Sequence, residues 1–287
     1  MFDEEVSQSG ERVQSRSWKV ANNTMGGEQV SSKRLTLVIP VYNEAIHLGP
    51  FIKAIDELAQ GLQEIQLEAE LVFIDDCSTD SSLSILQSYK FTTKTLIIKQ
   101  TKNQGKGAAL RRGIEAASGD IIGIQDADFE YDYTEIPKVI APILNGRADV
   151  SYGSRFKAGE QVHRTFHYGV NRFLTVLSNI FSGLYLSDME TCYKFFKADI
   201  IKNIHLESNR FGFEPEVTAK IARLKVRVVE IPISYFPRNY MEGKKITWRD
   251  GVSALGQILY YNLMVSKEKM FKDELPECYR VLGLHLL

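Results

Sequence analysis

From Arg34 to Tyr152, short apolar runs alternate with stretches in which apolar residues recur every three or four positions. That is the pattern of a parallel sheet covered by helices on both faces. Residues 35–40 predict a first strand, and Leu48, Phe51, Ile52, Ile55 and Leu58 mark one face of the helix that follows. Strands are predicted again over 70–75, 95–99, 120–125 and 148–152. Between them fall helices over 81–89, over 107–117, which is rich in good helix formers, and over 136–144, with Pro137 near its start. The regularity weakens after Arg155. Residues 166–186 predict a long amphipathic helix carrying Phe173, Leu174, Val176, Leu177, Ile180 and Phe181. A helix over 217–224, a strand over 226–231, a loop over 237–245 and a last helix over 252–265 complete the pattern. No internal repeat is present.

The polar first 33 residues predict a flexible tail, 34–248 one α/β domain, and 249–287 a helical extension. With 287 residues, 44% of them hydrophobic, the chain can bury a substantial core. Basic and acidic side chains nearly balance, 35 against 36, so no global field draws the protein onto nucleic acid and any anionic partner must be met locally. Cys77, Cys192 and Cys278 are odd in number and widely spaced, which predicts reduced thiols in a cytoplasmic setting and no structural zinc. No signal-like apolar core opens the chain, and no run reaches the roughly 18 apolar residues of a membrane span.

Candidate chemistry gathers at strand ends, where ligands bind in open parallel sheets. The first strand runs into Pro40, Val41, Tyr42, Asn43 and Glu44, the second into Asp75, Asp76, Cys77, Ser78, Thr79 and Asp80, the fourth into Asp126, Ala127 and Asp128. Aspartates after strands are commonly helix caps, which suffices for Asp80. It does not account for Asp126 and Asp128 together. Like charges closing an apolar strand become tolerable around a hard cation such as Mg²⁺ or Mn²⁺ bound with substrate phosphates. Lys106, between Gly105 and Gly107, lies in a turn open to anions, although the turn lacks the spacing of a P-loop. His163 and His167 share a helical face but have no third ligand, so no metal site is expected there.

Taken in order, Val38 to Glu44, Ile74 to Asp80, Asn103 to Gly107 and Asp126 to Asp128 resemble the family-two inverting glycosyltransferases of GT-A fold. Within them the chain is most similar to the dolichyl-phosphate mannose and glucose synthases and their bacterial polyprenyl-phosphate relatives, over about residues 34 to 250. The resemblance implies a Rossmann-like, mostly parallel sheet with a C-terminal helical acceptor-side region. It implies a nucleotide-diphosphate sugar as donor, with UDP-glucose favoured over GDP-mannose, and a lipid phosphate or a glycan hydroxyl as acceptor.

Pro40, Tyr42 and Glu44 would then line base and ribose, Asp75 or Asp76 would bond the base edge or ribose, and Lys106 and Arg238 would meet the diphosphate. Asp126 and Asp128 would hold the metal, supported by Gln125, Ala127 and Glu130. On the acceptor side the resemblance places Ser154, Arg155 and Arg164. Asp188 or Glu190 would be the base if the acceptor is a hydroxyl, and Glu214 ranks behind them. The helices over 166–186 and 252–265, with Lys244, Lys245, Arg249, Lys267 and Lys269 nearby, offer a peripheral membrane contact that core packing would equally explain. A sugar nucleotidyltransferase would need a glycine-rich, Arg-containing segment after the first strand, and this chain has none. A non-catalytic nucleotide-sugar sensor stays open.

Overall fold

A strand covered on both faces reads as an unbroken apolar run, and β1 (Lys33–Val41) is such a strand, with Leu35, Leu37, Val38 and Ile39 wholly buried. The computed structural model describes residues 32–157, 165–237 and 248–280. Beyond β1 the chain forms α1 (Ala45–Gly61), β2 (Leu67–Asp75), α2 (Ser82–Ser88), β3 (Lys94–Lys99), α3 (Lys106–Ala116), β4 (Ile121–Ile124), α4 (Ile136–Leu144) and β5 (Val150–Ser154). There follow α5 (Thr165–Ser182), β6 (Lys194–Lys197), α6 (Ala198–Ile201), α7 (Phe213–Ile221), β7 (Val228–Pro232) and α8 (Trp248–Leu259), the last continued by a π-helical turn over Tyr260–Met264.

The seven strands lie in the order β3-β2-β1-β4-β6-β5-β7. All neighbours are parallel except β6, which is antiparallel to both β4 and β5. Alternation along β1 splits the core. Leu35, Leu37 and Ile39 pack with Phe51, Ile52, Ile136 and Val139 of α1 and α4. Val38 packs on the other face with Ala109, Leu110 and Ile114 of α3 and with Val217 and Ile258 of α7 and α8.

The predicted strands and helices up to β5 are all found, with ends moved by a few residues. The later region differs more. β6 has no counterpart among the expected elements. The helix expected over 166–186 ends at Ser182, because Gly183 takes up a left-handed conformation (φ 78°) and donates back to Asn179. The helix expected over 217–224 begins at Phe213, which places Glu214 and Glu216 in its first turn, where the helix dipole favours acidic residues. Among the described residues, no helix is long and apolar enough to cross a membrane.

Candidate active site

The carboxyl ends of β1, β2, β4 and β5 open onto one mouth, because these strands run parallel. β6, entering in the opposite direction, delivers the segment from Ser187 to Tyr193 to that same edge: its first residue, Lys194, pairs with Tyr152 near the end of β5. The two loops at the β1 and β2 ends are sewn together. Asn43, in a left-handed conformation (φ 51°), accepts from the Thr79 amide (2.8 Å) and donates its own amide to the Ser78 hydroxyl (3.1 Å). Asp80 accepts from the amides of Ala45 (3.1 Å) and Ser82 (2.9 Å), so it holds two helix starts at once. Pro40, near the end of β1, and Tyr42 and Glu44, just beyond it, are partly exposed.

The two aspartates ending β2 have different tasks. Asp76 accepts from the amides of Gln104 (2.9 Å) and Gly105 (2.7 Å) and from the Gln100 side chain (2.6 Å). Its carboxylate is the knot of the turn that presents Lys106. Asp75 accepts from the Ser78 amide with Oδ2 (3.2 Å), while its Oδ1 is buried with no hydrogen-bond partner among the described residues. A buried acceptor left unpaired is costly, so such an atom points to a donor that the protein alone does not supply.

Lys106 begins α3, and its ammonium lies 2.9 Å from Asp126 Oδ1 and 3.0 Å from Oδ2, 3.3 Å from Glu214 Oε1 and 2.8 Å from Cys192 Sγ. Burial opposes the charge, but the carboxylates of Asp126 and Glu214, with the Cys192 sulfur accepting a hydrogen bond, outweigh it and hold the ammonium well above its ordinary pKa. For Cys192, burial and the neighbouring Asp126 push the thiol up, which keeps it protonated. The backbone at this helix start is not open to an anion: the amides of Gly107 and Ala108 already donate to the carbonyls of Arg210 and Asn209 (3.1 Å each). What Lys106 offers a phosphate is therefore its ammonium and not a cradle of amides.

Asp126, partly exposed, and Asp128 face the mouth after β4, with Ala127 buried between them. Asp128 accepts from the Glu130 amide (3.2 Å), and Glu130 accepts from the Tyr235 hydroxyl (2.9 Å). Gln125 is buried beneath, accepting from Tyr193 (2.6 Å) and donating to the Asp126 carbonyl (2.9 Å), so it steadies the strand end without reaching the mouth. Because Lys106 already balances Asp126, repulsion within the aspartate pair argues for a metal less strongly than the sequence implies. The donor set still fits Mg²⁺ or Mn²⁺, which usually take one or two carboxylates and complete their shell with water and substrate phosphate. Among the described residues no cluster of three or more His, Cys, Asp or Glu forms a metal cage.

On the β5 side, Arg155 and Asp188 form a bidentate pair, Nε to Oδ2 and Nη2 to Oδ1 at 2.7 Å each, with the Arg155 amide adding a third bond at 3.0 Å. Both residues are buried, and the guanidinium lies over the Tyr235 ring (5.1 Å). Glu230 of β7 secures the same segment from below by accepting from the amides of Ser187 (2.8 Å) and Asp188 (3.0 Å). Ser154 bonds Ser187 between their hydroxyls (2.6 Å). Two residues beyond Asp188, Glu190 has a buried Oε1 with no hydrogen-bond partner among the described residues. Burial and the nearby Glu214 push its carboxyl up to about 7.

Arg164, Arg238, His163, Lys244 and Lys245 lie outside the described residues, as do the side chains of His167 and Arg249. Glu230 and Lys194 were not singled out in the sequence, since Glu230 reads as an ordinary residue of the strand predicted over 226–231 and Lys194 closes a string whose signal lies in Asp188 and Glu190. The hollow of about 370 Å³ lined by Lys33, Asp120 and Lys197 lies at the opposite edge of the sheet, away from these groups.

A mostly parallel seven-stranded sheet with one reversed strand feeding the mouth is the architecture of the GT-A glycosyltransferases. It aligns over 82% of this chain and 81% of the other with glucosyl-3-phosphoglycerate synthase from Mycobacterium tuberculosis, solved with Mn²⁺, UDP and glucosyl-3-phosphoglycerate (TM-score 0.61, 17% identity). Residues 36–204 match the family described as Glycosyl transferase family 2, more than half of the chain, and the chain belongs to that family. It is similar to the dolichol-phosphate mannosyltransferase of Pyrococcus furiosus, 28% identical over 215 residues, which are 74% of this chain and 59% of that protein. It is also similar to the dodecaprenyl-phosphate galacturonate synthase of Rhizobium johnstonii, 26% identical over 90% of this chain and 74% of the other. The chain thus spans less than two thirds of the length of the Pyrococcus relative.

Proposed function

We propose that this protein is an inverting glycosyltransferase that moves a hexose from a nucleotide-diphosphate sugar to a polyprenyl or dolichyl phosphate. The observation that carries this reading is the convergence, at one sheet edge, of Lys106 with Asp126 and Asp128 on one side and of the Arg155–Asp188 and Glu190 segment on the other. The names of the relatives, each pairing a sugar with a polyprenyl-type phosphate, support the acceptor class.

In this reading Pro40, Tyr42 and Glu44 receive the nucleoside, and the unpaired Oδ1 of Asp75 takes a donor from the base edge. Asp126 and Asp128 would hold Mg²⁺ or Mn²⁺, and such an ion would draw charge from the departing diphosphate. Lys106 adds a second fixed cation on that path. Arg238 and Arg164 remain candidates for the donor and acceptor phosphates. The acceptor oxygen attacks the anomeric carbon as the bond to the diphosphate breaks, which inverts the configuration. A phosphate monoester, with its second pKa of about 6, is already anionic near neutrality, so that attack needs no proton acceptor. Uridine with glucose is preferred over guanosine with mannose from the strings at 153–156 and 188–194.

The test is nucleotide release from UDP-glucose and GDP-mannose with polyprenyl phosphate, with Mg²⁺ or Mn²⁺ and then with chelator. Metal-dependent, acceptor-dependent release from one donor is expected, and Asp128→Asn should lower it on the order of 100-fold. No release from any donor would sink the reading and favour a sensor of nucleotide sugars.

A hydroxyl acceptor is the second reading, favoured by Glu190, whose pKa of about 7 and unpaired oxygen suit a general base. Activity would then rise with pH through about 7 as Glu190 loses its proton. Glu190→Gln would lower turnover about 100-fold or more on a glycan hydroxyl but only modestly on a lipid phosphate. Arg155→Ala cannot separate the two, because it strands the buried Asp188 charge whichever acceptor is used.

Contact with a membrane surface belongs to the first reading. Phe173, Val176 and Ile180 of α5 are more than half exposed, as are Val252 of α8 and Leu263 and Met264 just beyond it, and the two helices pack against each other. Sedimentation with anionic vesicles, lost in a Phe173→Ser/Ile180→Ser double variant, is the expected result; equal sedimentation of both proteins would remove this part.

A further inference from the structure

The segment that carries Glu190 is anchored by a buried charge that the reaction as described does not use. Lys194 opens β6 with no solvent exposure. Its ammonium lies 4.5 Å from the centre of the Tyr152 ring and donates to the Met189 carbonyl (2.7 Å) and to that of Thr191. These are the carbonyls of the residues on either side of Glu190. We propose that Lys194 is a positioning residue for sugar transfer: by gathering both carbonyls it fixes the backbone at Glu190, aims that carboxyl into the mouth, and places a buried positive charge close to it.

Several observations point the same way. Desolvating an ammonium is costly, and neutral residues could fill the space beneath Tyr152 without that cost. A cation also draws Glu190 toward its ionised form, together with Arg155, against burial and the charges of Glu214 and Asp188. Lys194 itself is pulled below its ordinary pKa by burial, while Glu214, Cys192, Asp188 and Glu190 oppose that fall. The inference rests on the glycosyltransferase reading only for its turnover measurements.

The test uses the full chain with Lys194→Met, which keeps the length under Tyr152 and removes charge and donors, and Lys194→Gln, which removes the charge and keeps donors. Two readouts are taken. An infrared carboxyl titration, wild type minus Glu190→Gln, follows Glu190 directly, and its midpoint should move up by about one pH unit or more in either Lys194 variant. Turnover on a glycan hydroxyl should fall about 10- to 100-fold in Lys194→Met, and on a lipid phosphate only as modestly as in Glu190→Gln, while KM for the nucleotide sugar stays within about two-fold. In a Glu190→Gln background the same change should add little, because the group it positions is gone.

An unmoved midpoint in a folded variant overturns the proposal, and so does an equal further loss of turnover in the Glu190→Gln background. If neither variant folds, Lys194 serves folding alone and the proposal also fails. The infrared midpoint needs no substrate, so a wild type that releases no nucleotide would defeat the proposed function while the link between Lys194 and Glu190 is still read.

Discussion

Single residues at this site are shared between charges. Lys106 touches Asp126, Glu214 and the Cys192 thiol, so its removal leaves two carboxylates uncompensated in a partly buried setting. Lys106→Met is therefore expected to lower turnover about 100-fold and to strengthen the dependence on divalent cation, because Asp126 then lacks its internal partner. A metal titration of nucleotide release checks this; an unchanged midpoint and rate would show that Lys106 faces away from the reacting phosphates. The strand-end carboxylates and the lysine between glycines were legible in the sequence, since both are local patterns. How they pair was not. Asp75 and Asp76 are neighbours of one type, and only the fold shows that Asp76 is consumed by the Lys106 turn while Asp75 keeps an unpaired oxygen. The union of Arg155 with Asp188, 33 positions apart, is likewise beyond local reading.

At the scale of elements, α3 starts against the backbone of residues 208–210. A Cβ built on Gly107 would stand 2.3 Å from the Ser208 carbonyl oxygen and 2.9 Å from its carbon, both backbone atoms. Gly107→Ala should therefore move α3 and the lysine beside it, destabilising the protein by on the order of 2 kcal/mol and weakening nucleotide affinity. Urea unfolding and nucleotide titration check both; unchanged values would mean that the 208–210 loop yields freely. Elements from β1 to β5 were legible because each is a continuous run with its own period and punctuation. β6 was not, because four residues, Lys194 to Lys197, flanked by turns and bearing a lysine at each end, carry too little periodicity to mark a strand. What makes them one is pairing on both sides, with β4 and β5.

For the molecule as a whole, the sheet is tied together at the end away from the mouth by Glu70. Its carboxylate accepts from the Thr36 hydroxyl (2.6 Å) and from the Ser118 amide (2.7 Å) and hydroxyl (2.8 Å), and meets Lys94 at 2.6 Å, so it joins β1, β2, β3 and the turn before β4. Burial alone would raise its pKa, yet Lys94 and these donors outweigh burial and lower it to about 2. A group depressed in the folded state contributes stability above its unfolded pKa and loses it as the pH falls through its folded one. Glu70 should therefore stabilise the protein fully above about pH 4.5 and progressively less down to about 2, by on the order of 2 kcal/mol in all. Urea midpoints at pH 6, 4 and 3 should fall less steeply in Glu70→Gln than in wild type. Parallel curves would show that another group sets the acid limit.

The reversed strand has an outcome for how this scaffold can change. β6 is hydrogen-bonded to β4, which leads into Asp126 and Asp128, and to β5, which leads into Arg155, and the stretch before it is moored by Glu230 and Lys194. Residues 187–193 thus behave as a cassette clipped at both ends, one that could be exchanged with the corresponding stretch of a relative without disturbing the strands beside it; under the proposed function, such an exchange would redirect the recipient of the sugar.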